Sequence, residues 1–355
     1  MVAAAAAVAA GALVALGGGR HDAAPASAAR VSPLPRHVPL PAEVRGVHVT
    51  MSLASLPGRL EQYVTLAGLN TVELDVKDES GRLAFWTAAP PLARATGAAD
   101  RYYDPRAAAE LAHRHGVYLI GRVVAFEDPV VAERRPAYAI RTTDGGVWHT
   151  SAGLAWANPY SRAYWAYLVG VASAAARAGF DEIQFDYVRF PTDGDLSTAV
   201  FPGKRAEPMA TTVARFLRYA STRLHRLGVR VSADVFGLSA TRDLGIGQRP
   251  RQISKYLDAI YPMVYPSHYN AGEYDLPDPS ADPGRTVADS LRDFRAQLRG
   301  RTAKLIPWLQ DFSLGRTYGP LDVRAQITAA RLAHTRGFML WNADGIYTPA
   351  ALSPS

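Results

Sequence analysis

Residues Gly179–Pro191 read GFDEIQFDYVRFP, and their alternation decides how the rest of the chain is read. Ile183, Phe185 and Tyr187 fall on one face of an extended strand, Gln184 and Asp186 on the other, because successive strand side chains point to opposite sides. A carboxylate on an otherwise buried face is costly unless it is paired or used. Upstream, the helical pattern Ser161–Ala178 ends on Gly179, and glycine takes the left-handed conformation that closes a helix. The stretch therefore reads as helix, glycine stop, buried strand.

The same order repeats outward. Candidate strands are Val44–Thr50, Thr71–Lys77, Val117–Val124, Glu182–Tyr187, Arg230–Phe236, Ala259–Tyr265, Lys304–Gln310 and Phe338–Asn342. Candidate helices are Leu56–Ala67, Pro105–His115, Ser161–Ala178, Thr211–Leu227, Ser254–Leu257, Thr286–Leu298 and Val323–Thr335. Eight strands alternating with helices predict an α/β fold, a (β/α)8 TIM barrel. A doubly wound open sheet is the competing architecture, but no glycine-rich phosphate loop follows the first strand.

Length and composition, 355 residues, 48% hydrophobic and 20% charged, fit one domain of barrel size as well as two smaller ones. The net charge of +7 comes from scattered arginines. No basic run interleaved with aromatics marks a nucleic-acid interface, so no nucleic-acid partner is expected. With no cysteine, disulfides, thiolate zinc sites and a cysteine nucleophile are excluded. Val2–Leu16 is an Ala/Val/Leu run, and Ala26-Ser27-Ala28 has the small-x-small form of a cleavage site, though a basic n-region is missing. Residues 1–41 are expected to be a signal-like or anchor segment plus flexible linker, and 42–355 a single barrel domain. Export, secreted or anchored at the cell envelope, is the corresponding expectation.

Strand parity places polar side chains inside the barrel: His48, then Glu73, Asp75 and Lys77, then Arg122, Gln184 with Asp186, and Ser232 with Asp234. The sixth strand adds Tyr261 and Tyr265, the seventh Trp308 and Gln310. A structural barrel interior is mostly Val, Ile and Leu, so a functional mouth is expected at the carboxyl ends of the strands. The long connections follow the strands and carry Trp86, Trp148, Trp156, Tyr269 and Tyr274, rings able to stack on sugars or to pin their loops. Asp186 and Asp234 sit at matching places on adjacent strands, which lie about 4.8 Å apart. Their carboxyl groups are thus expected roughly 5–6 Å apart, near the ~5–5.5 Å spacing of retaining glycoside hydrolysis. Crowding would raise one pKa and supply the protonated acid.

GFDEIQFDYVRFP, with Ala157-Asn158-Pro159 upstream and Ala233-Asp234-Val235-Phe236-Gly237 downstream, resembles the putative glycosyl hydrolase domain family of bacterial proteins. Tyr261–Tyr269 (YPMVYPSHY) and Ile306–Gln310 (IPWLQ) carry the resemblance further, and it runs from about Val44 to Tyr347. It implies a barrel fold and a glycosidase role. Asp181 and Asp186 are similar to parts of the chitinase pattern D-x-x-D-x-D-x-E, but Gln184 replaces its middle Asp and Val188 stands where its acid Glu belongs. The alpha-amylase clan is similar in placing an Asp nucleophile on strand four and an acid/base on strand five, with Asp here in place of the usual Glu. The clan with Glu on strands four and seven fits poorly, since the seventh strand ends in Gln310.

The sequence therefore predicts a glycoside hydrolase of poly- or oligosaccharides, with Asp186 as nucleophile and Asp234 as acid/base. His48, Asp75, Lys77, Arg122, Gln184, Arg189, Tyr265, His268, Trp308, Gln310 and Trp341 are the candidate sugar-binding residues. Asp181, at the strand's start, is expected to be a turn residue. No metal or cofactor is expected; Val47-His48-Val49 lacks the paired histidines of a metal hydrolase, and a Schiff-base role for Lys77 is opposed by its neighbour Asp75. The competing reading is a carbohydrate-binding or cell-wall-associated barrel without turnover.

Overall fold

The computed structural model describes residues 37–204 and 206–352. The expected signal-like segment and most of the linker lie outside the described residues. Among the described residues, nine strand segments form the sheet: β1 (Val44–Val49), β2 (Thr71–Lys77), β3 (Tyr118–Val124), β4 (Glu182–Asp186), β5 (Arg230–Phe236), β6 (Ala259–Met263), β7 (Lys304–Leu305), β8 (Trp308–Gln310) and β9 (Gly337–Trp341). All pair in parallel, and β1 bonds both β2 and β9, so the sheet closes on itself. β7 and β8 each pair with β6 and together fill the seventh barrel position. The result is an eight-stranded parallel barrel with helices between the strands, a (β/α)8 TIM barrel.

The seventh strand, expected unbroken, is interrupted at Ile306-Pro307 because proline offers no N–H to the ladder. The short helix expected at Ser254–Leu257 lies instead at Pro250–Ile253, with Ser254 as its C-cap. Proline at its first position needs no N–H partner and starts the turn. The helix Arg162–Ala178 begins where Ser161 Oγ accepts from the Tyr164 N–H and ends on Gly179 at φ 117°.

Packing follows the strand parity. Val72, Leu74 and Val76 join the apolar layer between barrel and helices, where Phe216 meets Phe126, Phe185 and Trp165 with ring centroids 5.1–5.5 Å apart. Truncating such a ring costs about 3–5 kcal/mol. A second cluster, including Tyr118, Ile120, Tyr261, Ile306 and Met339, is packed around the inner side chains. Leu40 belongs to it, so the last described residues before β1 are packed on the barrel rather than loose.

Asp181 explains that anchoring. Its Oδ1 accepts from the Val38 N–H at 2.7 Å, and its Oδ2 from Leu119 N–H at 2.9 Å. His113 Nε2 lies 3.0 Å from Oδ2. The residue is a structural tie at the amino end of β4, and it ties three segments rather than one turn.

Candidate active site

The carboxyl ends of the strands surround a cavity of about 520 Å³. Its charged lining is Glu73, Arg122, Asp186, Arg189 and Asp234; its rings are Tyr187, Phe236, Tyr265, His268, Tyr269, Trp308 and Trp341. An apolar cleft with a few convergent charged groups is the usual form of a ligand site.

The two aspartates stand level. Gln184 pairs with Ser232 and Phe185 with Ala233 in the β4–β5 ladder, so Asp186 and Asp234 are the next residues along each strand. Their surroundings differ sharply. Asp186 Oδ2 accepts two hydrogen bonds from Arg122, from Nε at 3.0 Å and Nη2 at 2.8 Å, and Oδ1 accepts from the Tyr187 N–H at 2.7 Å. Among the described residues Asp234 has no cation against it. Its Oδ1 accepts from Trp308 Nε1 at 2.6 Å and from Gln184 Nε2 at 2.5 Å. Burial first, then the negative fields of Asp186 and Glu73, push Asp234 well above the ordinary carboxyl range, and the two donors pull it only part-way back.

Arg122 is the hub of this network. Burial opposes its charge, but Asp186, Asp75, Glu79 and Glu73 more than offset that cost. Nη1 donates to Asp75 Oδ1 at 2.8 Å and to Glu79 Oε2 at 3.1 Å. Asp75 Oδ2 lies 3.8 Å from His48 Nε2, and His48 Nδ1 lies 2.6 Å from Glu73 Oε2. His48 stacks on Trp341 at 4.3 Å. Glu73 Oε1 is buried without a partner among the described residues, and burial raises the pKa of this carboxyl.

Among the expected sugar contacts, Arg122, Arg189, Tyr265, His268, Trp308 and Trp341 line the cavity with the two aspartates. Trp341 and Trp308 meet edge to face at 5.6 Å, and Tyr265 packs against His268 and Phe312. His48, Asp75 and Gln184 stand behind the lining, each holding a residue that reaches it. Gln310 is placed elsewhere: its Oε1 accepts from the Ser267 N–H and its Nε2 donates to the Phe312 carbonyl, so it shapes the loop after β6.

Lys77 is also placed elsewhere. Its ammonium lies 3.3 Å from Asp128 Oδ2 and donates to the Val124 carbonyl at 3.0 Å. The β2–β3 register shifts between Asp75 and Lys77, and such a bulge breaks the alternation that predicted an inward lysine.

Tyr187 departs from parity in the other direction. Its φ of 47° is left-handed, which costs a non-glycine residue about 1 kcal/mol or more. That turn makes it a cavity residue instead of continuing the helix-facing row of Ile183 and Phe185. Trp148 and Trp156 are buried and pin their loops, with Trp148 Nε1 donating to the Asp195 carbonyl. Tyr269 does line the cavity; its hydroxyl bonds Ser290 Oγ at 2.7 Å. Gly237 makes room for it, since a Cβ there would sit 2.1 Å from that hydroxyl.

Gln248 was not legible as a site residue. From the loop after β5 it accepts from the Phe236 N–H at 2.9 Å and donates to the Asp234 carbonyl at 3.2 Å. Among the described residues no group of three or more His, Cys, Asp or Glu is arranged to hold a metal, and no helix is long and apolar enough to cross a membrane.

The model of the putative glycosyl hydrolase domain family matches residues 46–347. The chain belongs to that family. Membership supports a glycosidase, and the barrel agrees with solved glycosidase folds. The glycoside hydrolase domain of PgaB (BpsB) from Bordetella bronchiseptica is 15% identical with a TM-score of 0.60, over 85% of this chain and 94% of that one. The spore cortex-lytic enzyme SleL of Bacillus megaterium QM B1551 is 13% identical with a TM-score of 0.53, over 87% and 72%. An inactive D437A mutant of an exo-β-N-acetylglucosaminidase from Vibrio harveyi is 12% identical with a TM-score of 0.54, over 87% and 53%. None of the curated protein sequences matches the chain.

Proposed function

We propose that the protein is a retaining glycoside hydrolase acting on a poly- or oligosaccharide, with Asp186 as nucleophile and Asp234 as acid/base. The observation that carries this reading is the contrast between two level carboxyl groups: Arg122 stands against Asp186, and among the described residues nothing cationic stands against Asp234. Pairs of acids pushed apart by their environments divide the nucleophilic and acid roles between them.

In the first step Asp186 attacks the anomeric carbon while Asp234 protonates the departing glycosidic oxygen. Oδ1 of Asp186 carries one hydrogen bond against two on Oδ2, so its lone pairs are the freer for attack. On Asp234 the two donors occupy Oδ1, which leaves Oδ2 for the proton. Once Asp186 is esterified its negative charge is gone, and a part of what raised the Asp234 pKa goes with it. Asp234 then becomes a competent base and takes a proton from the water that cleaves the ester. The rings of Trp308, Trp341, Tyr265 and Tyr187 offer apolar faces for the sugar.

The export suggested by Val2–Leu16 and Ala26-Ser27-Ala28 would bring the enzyme to glycans at or beyond the cell envelope. Asp234→Asn tests the role division. With alkyl or sugar leaving groups the first step should slow by about 10²–10⁴-fold, and a dinitrophenyl leaving group, which needs no proton, should restore it. Equal losses with both leaving groups would remove Asp234 from the acid role.

A further inference from the structure

Two arginines reach the cavity, and their situations are opposite. Arg122 spends its donors on Asp186, Asp75 and Glu79. Arg189 is 7% exposed and lines the same cavity, yet its single side-chain hydrogen bond among the described residues runs from Nη1 to the Phe190 carbonyl at 3.1 Å. Among the described residues no carboxylate comes within ion-pair distance of it. Its guanidinium instead sits about equally far, 5.0 Å, from the ring centroids of Trp156, Tyr187 and Phe236.

A buried cation without a counter-ion is expensive, and three ring faces return only part of the lost hydration. The fields of Glu127, Asp186 and Asp193 reach Arg189, but among the described residues none of these carboxylates forms a hydrogen bond or ion pair with it. The guanidinium therefore keeps most of its planar donor fork free. That fork matches the geometry of a carboxylate, sulfate or phosphate better than any neutral sugar hydroxyl.

We propose that Arg189 recognises an anionic substituent on the glycan, so that the substrate class is an acidic polysaccharide carrying uronate, sulfate or phosphate groups. The inference rests on the glycosidase reading for the identity of the cavity's occupant, but its test needs no turnover. Binding of D-glucuronate, glucose 6-sulfate, glucose 6-phosphate and glucose is measured by calorimetry on the full chain, for the wild type, Arg189→Gln and Arg189→Lys. At least one of the anionic sugars should bind wild type tenfold or more tighter than glucose, and which one does so names the anion.

Arg189→Gln should abolish that preference, and Arg189→Lys should restore only part of it, because an ammonium lacks the fork. Thermal melts check that both variants are folded; should Arg189→Gln fail to fold, Arg189→Lys carries the comparison. Equal binding of anionic and neutral sugars, including no measurable binding of any, would overturn the proposal. So would an anion preference that survives in Arg189→Gln, or one undiminished in Arg189→Lys. Loss of turnover in Asp186 or Asp234 variants bears on the glycosidase reading alone.

Discussion

Arg122 Nη2 lies 2.8 Å from Asp186 Oδ2, with Nε of the same guanidinium 3.0 Å from that oxygen. The pair is buried, so a cation that also contacts Asp75 and Glu79 fixes the orientation of Asp186, the proposed nucleophile. Removing the cation leaves carboxylates facing one another in a largely buried site. Arg122→Met should lower kcat by about 10²–10³-fold, the scale of losing an electrostatic partner in an active site. Stability should fall by about 3–5 kcal/mol. Arg122→Lys should recover little of the activity, since one ammonium cannot donate along the guanidinium plane. Steady-state kinetics beside denaturant melts check both parts.

The pH profile should report Asp234. In the proposed mechanism activity requires its proton, so the basic limb should fall as pH rises through a pKa that burial, Asp186 and Glu73 have raised. Trp308→Phe deletes a donor that favours the ionised form. The pKa should rise further, and the basic limb of kcat/KM should move to higher pH, whatever happens to the maximum rate. A limb that stays in place or moves to lower pH would detach Trp308 from the titrating group.

Glu182 gives a stability prediction separate from catalysis. Inside the barrel it accepts from Tyr118 OH at 2.9 Å and Ser232 Oγ at 2.5 Å. Burial, against the pull of those donors, raises its pKa from 4.5 to about 7. The folded state thus holds a proton that the unfolded chain has released. This contribution is complete below about pH 4.5 and is lost as pH rises through 7, a total of roughly 3 kcal/mol. Glu182→Gln should flatten that part of the stability–pH curve, as read from urea melts between pH 4.5 and 8.

Asp181 should behave as a tie and nothing more. Asp181→Ala leaves the Val38 and Leu119 N–H groups and His113 without their acceptor. The expected cost is about 2–4 kcal/mol, with kcat changed less than twofold. A large loss of kcat in folded protein would make Asp181 a catalytic candidate.

How much the sequence revealed depends on how local the physics was. Strand–helix order and the Gly179 stop placed the barrel, because helix caps and alternating strands are nearest-neighbour effects. Asp186 and Asp234 were legible from parity alone, and they line one cavity. Lys77 and Tyr187 were misplaced because a bulge after Asp75 and a left-handed turn after Asp186 each break the alternation. Neither leaves a glycine or proline to signal it. Gln248 and the open donors of Arg189 depend on tertiary neighbours from other loops, which spacing along the chain does not encode.

The central claim is that Asp186 forms the covalent bond to the sugar. Incubating the enzyme with a panel of activated 2-deoxy-2-fluoroglycosides and mapping the tryptic digest by mass spectrometry tests it most directly. The added mass of one fluorosugar should appear on peptide 178–189 and fragment to Asp186, and it should be absent from the Asp186→Asn variant. A label on peptide 231–242, which carries Asp234, or on any other carboxylate would contradict the account.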